Sequence, residues 1–265
     1  MGIEKFSLGN VQIEAIVNGS GETIVLLPGL GGEASSYDDF TPLLNNEGYR
    51  TVAINMRGIA GSKGPLEKLT LHDLANDVAG VIELLEEIPI HILGWAFGNR
   101  VARCLAKDHP HLVKTVILVA AGGKVPPDEE TSKTFAKLWS PSLSREERLK
   151  AIKFSLFSPT TDMETVIQSM SGRKTWPEAT QAQSKANLAT PLKEWWNGGQ
   201  ASMLIIQGID DRMAVLENGQ ILKRDNEERV KLVNIEKAGH LMIYEQPDKV
   251  AKEIISFLNS LSSFR

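Results

Sequence analysis

The sequence predicts an α/β fold: a doubly wound, mostly parallel sheet with an inserted helical lid. Three observations predict it. Short β-branched runs recur along the chain, helical patterns with one apolar face separate them, and the strand pattern stops between Ala121 and Ser202. Strands buried on both faces read as near-continuous apolar runs, and strands alternating with amphipathic helices build βαβ units.

The opening stretch, "EKFSLGNVQIEAIVNGSGE", alternates and turns at Gly9-Asn10 and Asn18-Gly19, so it reads as a hairpin at the antiparallel edge. Buried strands follow at "TIVLLP" (23–28), "TVAIN" (51–55), "IHILGW" (90–95), "TVILVAA" (115–121), "SMLIIQG" (202–208) and "VKLVNIE" (230–236). Between them, "TLHDLANDVAGVIELLEE" sets Leu71, Leu74, Val78, Val81, Ile82 and Leu85 on one helical face, and "DKVAKEIISFLNSL" does the same near the end. In the strand-free segment, Ser144 to Glu147 and Thr161 to Glu164 each fit a capping box that opens a helix. The expected division is a core of residues 1–123 and 198–265, with residues 124–197 inserted as a helical lid.

Composition narrows the function. At 42% hydrophobic and 23% charged residues, the 265-residue chain is not a disordered one. A net charge of -4 gives nucleic acid no electrostatic reason to bind. The start, "MGIEKFSLGN", lacks a basic region followed by an apolar run, and no later run is long enough to span a bilayer, so no membrane association and a cytoplasmic location are expected. Cys104 is the single cysteine, which rules out an internal disulfide and would leave a zinc site to histidines and carboxylates; no metal and no cofactor is expected.

The chemistry gathers around "HILGWAFGNR" (91–100). The strand, then Gly94, Trp95, Ala96, Phe97 and Gly98, then the helix "NRVARCLAKDH", has the pattern of a nucleophile elbow, a sharp strand-to-helix turn that projects its central side chain above the sheet. Glycines two residues to either side let the backbones approach. From "VLLPGLGG" to the last helix the chain resembles the α/β-hydrolase fold family, and "QGIDDR" and "KAGH" follow in that family's order of nucleophile, acid and histidine. By the family spacing Asp211 is the acid, with adjacent Asp210 as the alternative, and His240 is the general base. The resemblance further makes the backbone N–H groups of Leu30, in "PGLGG", and of Phe97 the oxyanion hole. The loop Arg57, Gly58, Gly61 and Ser62 resembles the family's Arg-Gly-x-Gly-x-Ser segment, slightly altered.

Other readings of the same residues are weaker. Gly29, Gly31 and Ala34 formally match a dinucleotide fingerprint, but the next strand ends in Asn55-Met56-Arg57, without the acid that would hold a ribose. His72, His91, His109 and His111 lack catalytic company and read as structural or solvated, and Cys104 as a buried core thiol.

Ala96 is the anomaly. A methyl group cannot attack a carbonyl, so the family's acyl-enzyme route cannot run through it. Either it replaces a parental serine, as is done to trap an intact substrate, or it is natural; the strained φ of an elbow, where glycine is cheaper, favours replacement. The leading expectation is a hydrolase of a medium-sized apolar or aromatic ester or lactone. The alternatives are a natural non-serine enzyme using His240 and Asp211 for lyase, cofactor-free oxygenase or water-activating chemistry, and a ligand-binding protein without turnover. Four of the five tryptophans fall in or at the end of the insertion, and Trp95, Trp139, Trp176 and Trp195 are the expected pocket walls.

Overall fold

The structure, a computed structural model, describes residues 2–85, 87–138, 140 and 142–262. The strands are β1 (Gly2–Leu8), β2 (Val11–Asn18), β3 (Glu22–Leu27), β4 (Tyr49–Asn55), β5 (Ile90–Trp95), β6 (Val113–Val119), β7 (Ser202–Gly208) and β8 (Val230–Ile235). They form one sheet in the order β1-β2-β4-β3-β5-β6-β7-β8. The β1–β2 and β2–β4 pairs are antiparallel and the rest are parallel. Each apolar run read as a strand is one, within two residues at either end, and the opening hairpin is the antiparallel edge.

The sheet is a septum between two apolar layers. Side chains alternate across a strand, so Val25 and Leu27 of β3 enter the layer under the helices Leu71–Leu85 and Gly98–Asp108, while Ile24 and Leu26 enter the layer under the helix Pro247–Ser262. All six residues of β5 are buried. The strand order reverses between β3 and β5: from β3 the chain crosses to β4 on one side and then to β5 on the other. In open α/β sheets the crevice beyond the carboxyl ends of strands at such a switch point is where ligands bind.

Residues 124–197 contain only helices among their described elements: Glu129–Lys137, Arg145–Leu156, Met163–Met170, Pro177–Ala189 and Leu192–Trp195. Ser144 and Glu147 make both bonds of the expected capping box. The second box is shifted by one residue. Asp162, not Thr161, caps the helix Met163–Met170 by accepting from the Thr165 N–H, because the Thr161 hydroxyl is engaged by Glu245, 2.6 Å away. No helix among the described residues is long and apolar enough to cross a membrane.

One buried cation ties the insertion's end to the core. Arg103, fully buried on the helix Gly98–Asp108, donates to the carbonyls of Asn99, Trp196 and Gly122 and to Asn99 Oδ1. Its guanidinium lies 4.5 Å from the Trp195 ring centroid and 5.2 Å from that of Trp196. Arg103→Ala strands those carbonyls and opens a cavity, and should cost about 3 kcal/mol of stability in urea unfolding.

Candidate active site

The elbow exists because two backbones touch. A Cβ on Gly94 would lie 2.5 Å from Asn99 Cα, and one on Gly98 would lie 2.2 Å from the Leu27 carbonyl oxygen. Without side chains at both positions, the helix Gly98–Asp108 packs directly against β5 and the end of β3. Between them the chain reverses through Ala96 at φ +50°, a left-handed conformation that strains an L-residue by about 1 kcal/mol. The N-terminus of that helix, with its partial positive charge, opens at this turn.

The loop after β3 passes over the elbow. A Cβ on Gly29 would stand 3.5 Å from Ala96 Cβ. Gly31 takes φ +64° and donates its N–H to Gln183 Oε1 at 2.8 Å. The backbone N–H groups of Leu30 and Phe97 donate to no acceptor among the described residues.

Asp211 and His240 meet across the ends of β7 and β8. His240 Nδ1 lies 3.0 and 3.1 Å from the two Asp211 carboxylate oxygens. The Asp211 side chain is fully buried, and its Oδ1 also accepts the N–H groups of Met213 and Ala214. A carboxylate only accepts, so Nδ1 carries the ring proton and leaves Nε2 as the basic nitrogen. Asp210 turns away: its Oδ2 accepts from the Ser158 hydroxyl at 2.6 Å. Of the two candidate acids, Asp211 is the one that the fold brings to His240.

The described members of the four tryptophans expected as pocket walls divide between core and loop. Trp95 is only 3% exposed, packed edge-on between Tyr37 and Tyr244, and its indole N–H donates to the His240 carbonyl at 3.0 Å. It braces the histidine from beneath rather than lining an open pocket. Trp195, also 3% exposed, is a core residue against Arg103 and Trp196, because the short helix Leu192–Trp195 packs on the helix Gly98–Asp108 rather than over the elbow. Trp176 is half-buried and donates to Glu33 Oε1 at 2.7 Å, next to the Gly29–Gly32 loop. Trp139 lies outside the described residues.

Sequence reasoning passed over Glu245. Its Oε2 accepts the N–H of Gly239, which precedes His240, and its Oε1 accepts the Ser158 N–H and the Thr161 hydroxyl of the insertion. Burial raises its carboxyl above the usual range. The available signal was a carboxylate closing the apolar run "LMIY" directly after the histidine. His91 is held in the sheet by Thr115, with burial lowering its pKa, and His109 bonds Asn76. The Cys104 thiol, fully buried, is pushed up to about 12 chiefly by burial, which leaves it no nucleophile.

A mostly parallel sheet with an elbow at its switch point, and an acid and a histidine beyond later strands, defines a class of α/β folds with their chemistry at the strand ends. Residues 24–253 match the model of the Alpha/beta hydrolase family, and the chain belongs to that family. It is 27% identical over 274 aligned positions to a 2-hydroxy-6-oxononadienedioate/2-hydroxy-6-oxononatrienedioate hydrolase of Pseudomonas putida, covering 94% of this chain and 93% of that protein. It is 26% identical over 161 residues to a pyrrolizixenacetamide deacetylase of Xenorhabdus hominickii, 59% of each chain. Its fold is that of an esterase from Exiguobacterium antarcticum, with a TM-score of 0.78 at 20% identity over 94% of this chain and 96% of the other.

The strain and the close approach are separable by substitution. Ala96→Gly relieves the positive φ and should raise stability by about 0.5–1 kcal/mol. Gly98→Ala forces a side chain into the Leu27 carbonyl and should cost about 3 kcal/mol or more, both measured by thermal unfolding.

Proposed function

We propose that this chain carries an ester- or lactone-hydrolysing site of Ser-His-Asp design in which Ala96 occupies the position of the attacking serine. The observation that carries the reading is the Asp211–His240 hydrogen bond, kept intact beyond an elbow whose central residue has no hydroxyl. With serine at position 96, His240 Nε2 takes the hydroxyl proton as oxygen attacks the carbonyl, and Asp211 holds Nδ1–H and the imidazolium that forms. The N–H groups of Leu30 and Phe97 then receive the developing oxyanion. With alanine there, no acyl-enzyme forms and the chain holds its substrate intact, as expected if a parental serine has been replaced.

Residues 124–197 act as the lid of this site over a core of residues 1–123 and 198–265. Their contacts support that reading, since they reach the loops that carry Leu30 and Asp211. Gln183 bonds Gly31, Trp176 bonds Glu33, Ser158 bonds Asp210, and the Phe154 ring lies 4.2 Å from the Arg212 guanidinium. Leu30 and Ile209 are exposed apolar side chains, 39% and 45%, on the loops next to Ala96 and Asp211, which favours a medium-sized apolar or aromatic substrate. The likeness to the dienedioate hydrolase supports hydrolysis rather than binding alone.

A second reading rests on the same intact pair: His240, hydrogen-bonded to Asp211 and 15% exposed at its side chain, activates water or removes a substrate proton without a serine.

Ala96→Ser, incubated with a fluorophosphonate and weighed intact, should gain a single adduct that the alanine chain does not. Adding Asp211→Asn should slow labelling by about 10³–10⁴-fold. Absence of an adduct on the serine form overturns the serine-site reading, and an activity of the alanine chain abolished by His240→Ala establishes the second.

A further inference from the structure

Away from the elbow, three helices bring a histidine, a cysteine and two carboxylates to one point. Cys104 and Asp108 are four residues apart on the helix Gly98–Asp108, so they share a face. His72, in the first turn of the helix Leu71–Leu85, faces them. One ligand atom from each of His72, Cys104 and Asp108 lies within 4.8 Å of the others, and His72 Nδ1 is 2.5 Å from Asp108 Oδ2. On the far side of the ring, His72 Nε2 is 3.0 Å from Glu194 Oε2, on the helix that ends the insertion.

We infer that His72 Nδ1, Cys104 Sγ and Asp108 Oδ2 form a site for a borderline-soft divalent cation of the zinc class, with Glu194 orienting His72 from behind. The donor set is one nitrogen, one sulfur and one carboxylate oxygen, the mixture that zinc accepts and that hard oxygen-seeking cations do not. Two ligands at i and i+4 on one helix plus a third from a neighbouring helix is a chelating arrangement that needs no backbone rearrangement. Ligand atoms around tetrahedral zinc stand about 3.3–3.7 Å apart. The His72 and Asp108 side chains, 33% and 25% exposed, reach that spacing by side-chain rotation. Without the ion both ring nitrogens face carboxylates, Nδ1 that of Asp108 and Nε2 that of Glu194, so each carries a proton. On binding, the Nδ1 proton leaves to buffer, the ion takes its place between Nδ1 and Asp108 Oδ2, and Glu194 keeps the Nε2–H, as outer carboxylates do for metal-bound histidines. Cys104 is the buried inner wall and the exposed pair is the entrance, so the ion enters from solvent and water completes its shell. Two carboxylates balance the charge of the cation. On binding, the Cys104 thiol proton leaves to buffer and the sulfur–metal bond forms in its place, the cation supplying the stabilisation of a thiolate that burial otherwise denies. The ion then clamps the elbow helix, the helix Leu71–Leu85 and, through Glu194, the end of the insertion.

The test is titration of the full chain with Cd²⁺, read by the thiolate-to-cadmium charge-transfer band, and with Zn²⁺ by calorimetry in two buffers of different ionisation heat. Expected are one ion per chain, at least one proton released, a band lost in Cys104→Ser, and binding weakened at least tenfold in His72→Gln and in Asp108→Asn. Glu194→Gln should weaken it by about 10–100-fold. If Cys104→Ser does not fold, the His72 and Asp108 variants, altered at partly exposed side chains, carry the decision. No band on the folded chain, or a band of unchanged affinity in both those variants, overturns the site.

Discussion

The direct contact of the helix Gly98–Asp108 with the carboxyl ends of β3 and β5 is the constraint on which the rest depends. It is possible only because Gly94 and Gly98 carry no side chain where the backbones meet. From it follow the left-handed turn at Ala96, the place of Phe97 at the N-cap of that helix, and the approach of the Gly29 loop from the other strand at the switch point. Because β3 and β5 are adjacent and parallel, their loops leave the sheet side by side, and the Gly29 loop comes to lie against Ala96. The geometry is therefore a property of the sheet's topology rather than of any single residue.

The insertion is fastened to this centre at several independent points. The Trp195–Trp196 pair closes on Arg103 beneath the elbow helix. At the other end of the site Glu245 joins the loop before His240 to Ser158 and Thr161. A half-buried carboxylate with three donors aimed at it is a rigid joint, since freeing any one donor leaves a part-buried polar group unpaired. Movement of the 157–161 segment is thus coupled to the backbone that positions His240, and Trp95 holds the next carbonyl along that same backbone.

Much of the frame was legible in the sequence, because its signals are local. Fully apolar strands, helices with one apolar face and the glycine spacing of the elbow each follow from a period or a steric need. The order of Asp211 and His240 along the chain was readable through family resemblance, whereas the choice between Asp211 and Asp210 needed coordinates, since neighbouring carboxylates differ only in which partners the turn presents to them. Trp95 and Trp195 are core residues rather than pocket walls for a related reason. A large aromatic serves a pocket or a core equally well by composition, and only the packing of the helix Leu192–Trp195 against Arg103 decides for Trp195. Thr161 lost its cap to Asp162 because a tertiary partner, Glu245, claimed its hydroxyl, which no local pattern records.

Ala96 is informative because the rest of its surroundings is so complete. A chain with no use for a side chain at an elbow gains by placing glycine there, since the positive φ costs glycine nothing. This chain instead keeps a Cβ in a strained conformation, directed at the Gly29 loop and one residue from the tryptophan that braces His240. It also keeps the buried carboxylate on the imidazole, and the Leu30 and Phe97 N–H groups have no acceptor among the described residues. The strained φ and the unpaired N–H groups cost stability rather than supply it. Under the proposed serine site, these are the parts that attack on a carbonyl uses: an oxygen on the Cβ, a base to take its proton, and two N–H groups for the oxyanion. On that proposal the alanine removes the first of these and leaves the other two standing, so the site is interrupted at a single atom rather than dismantled.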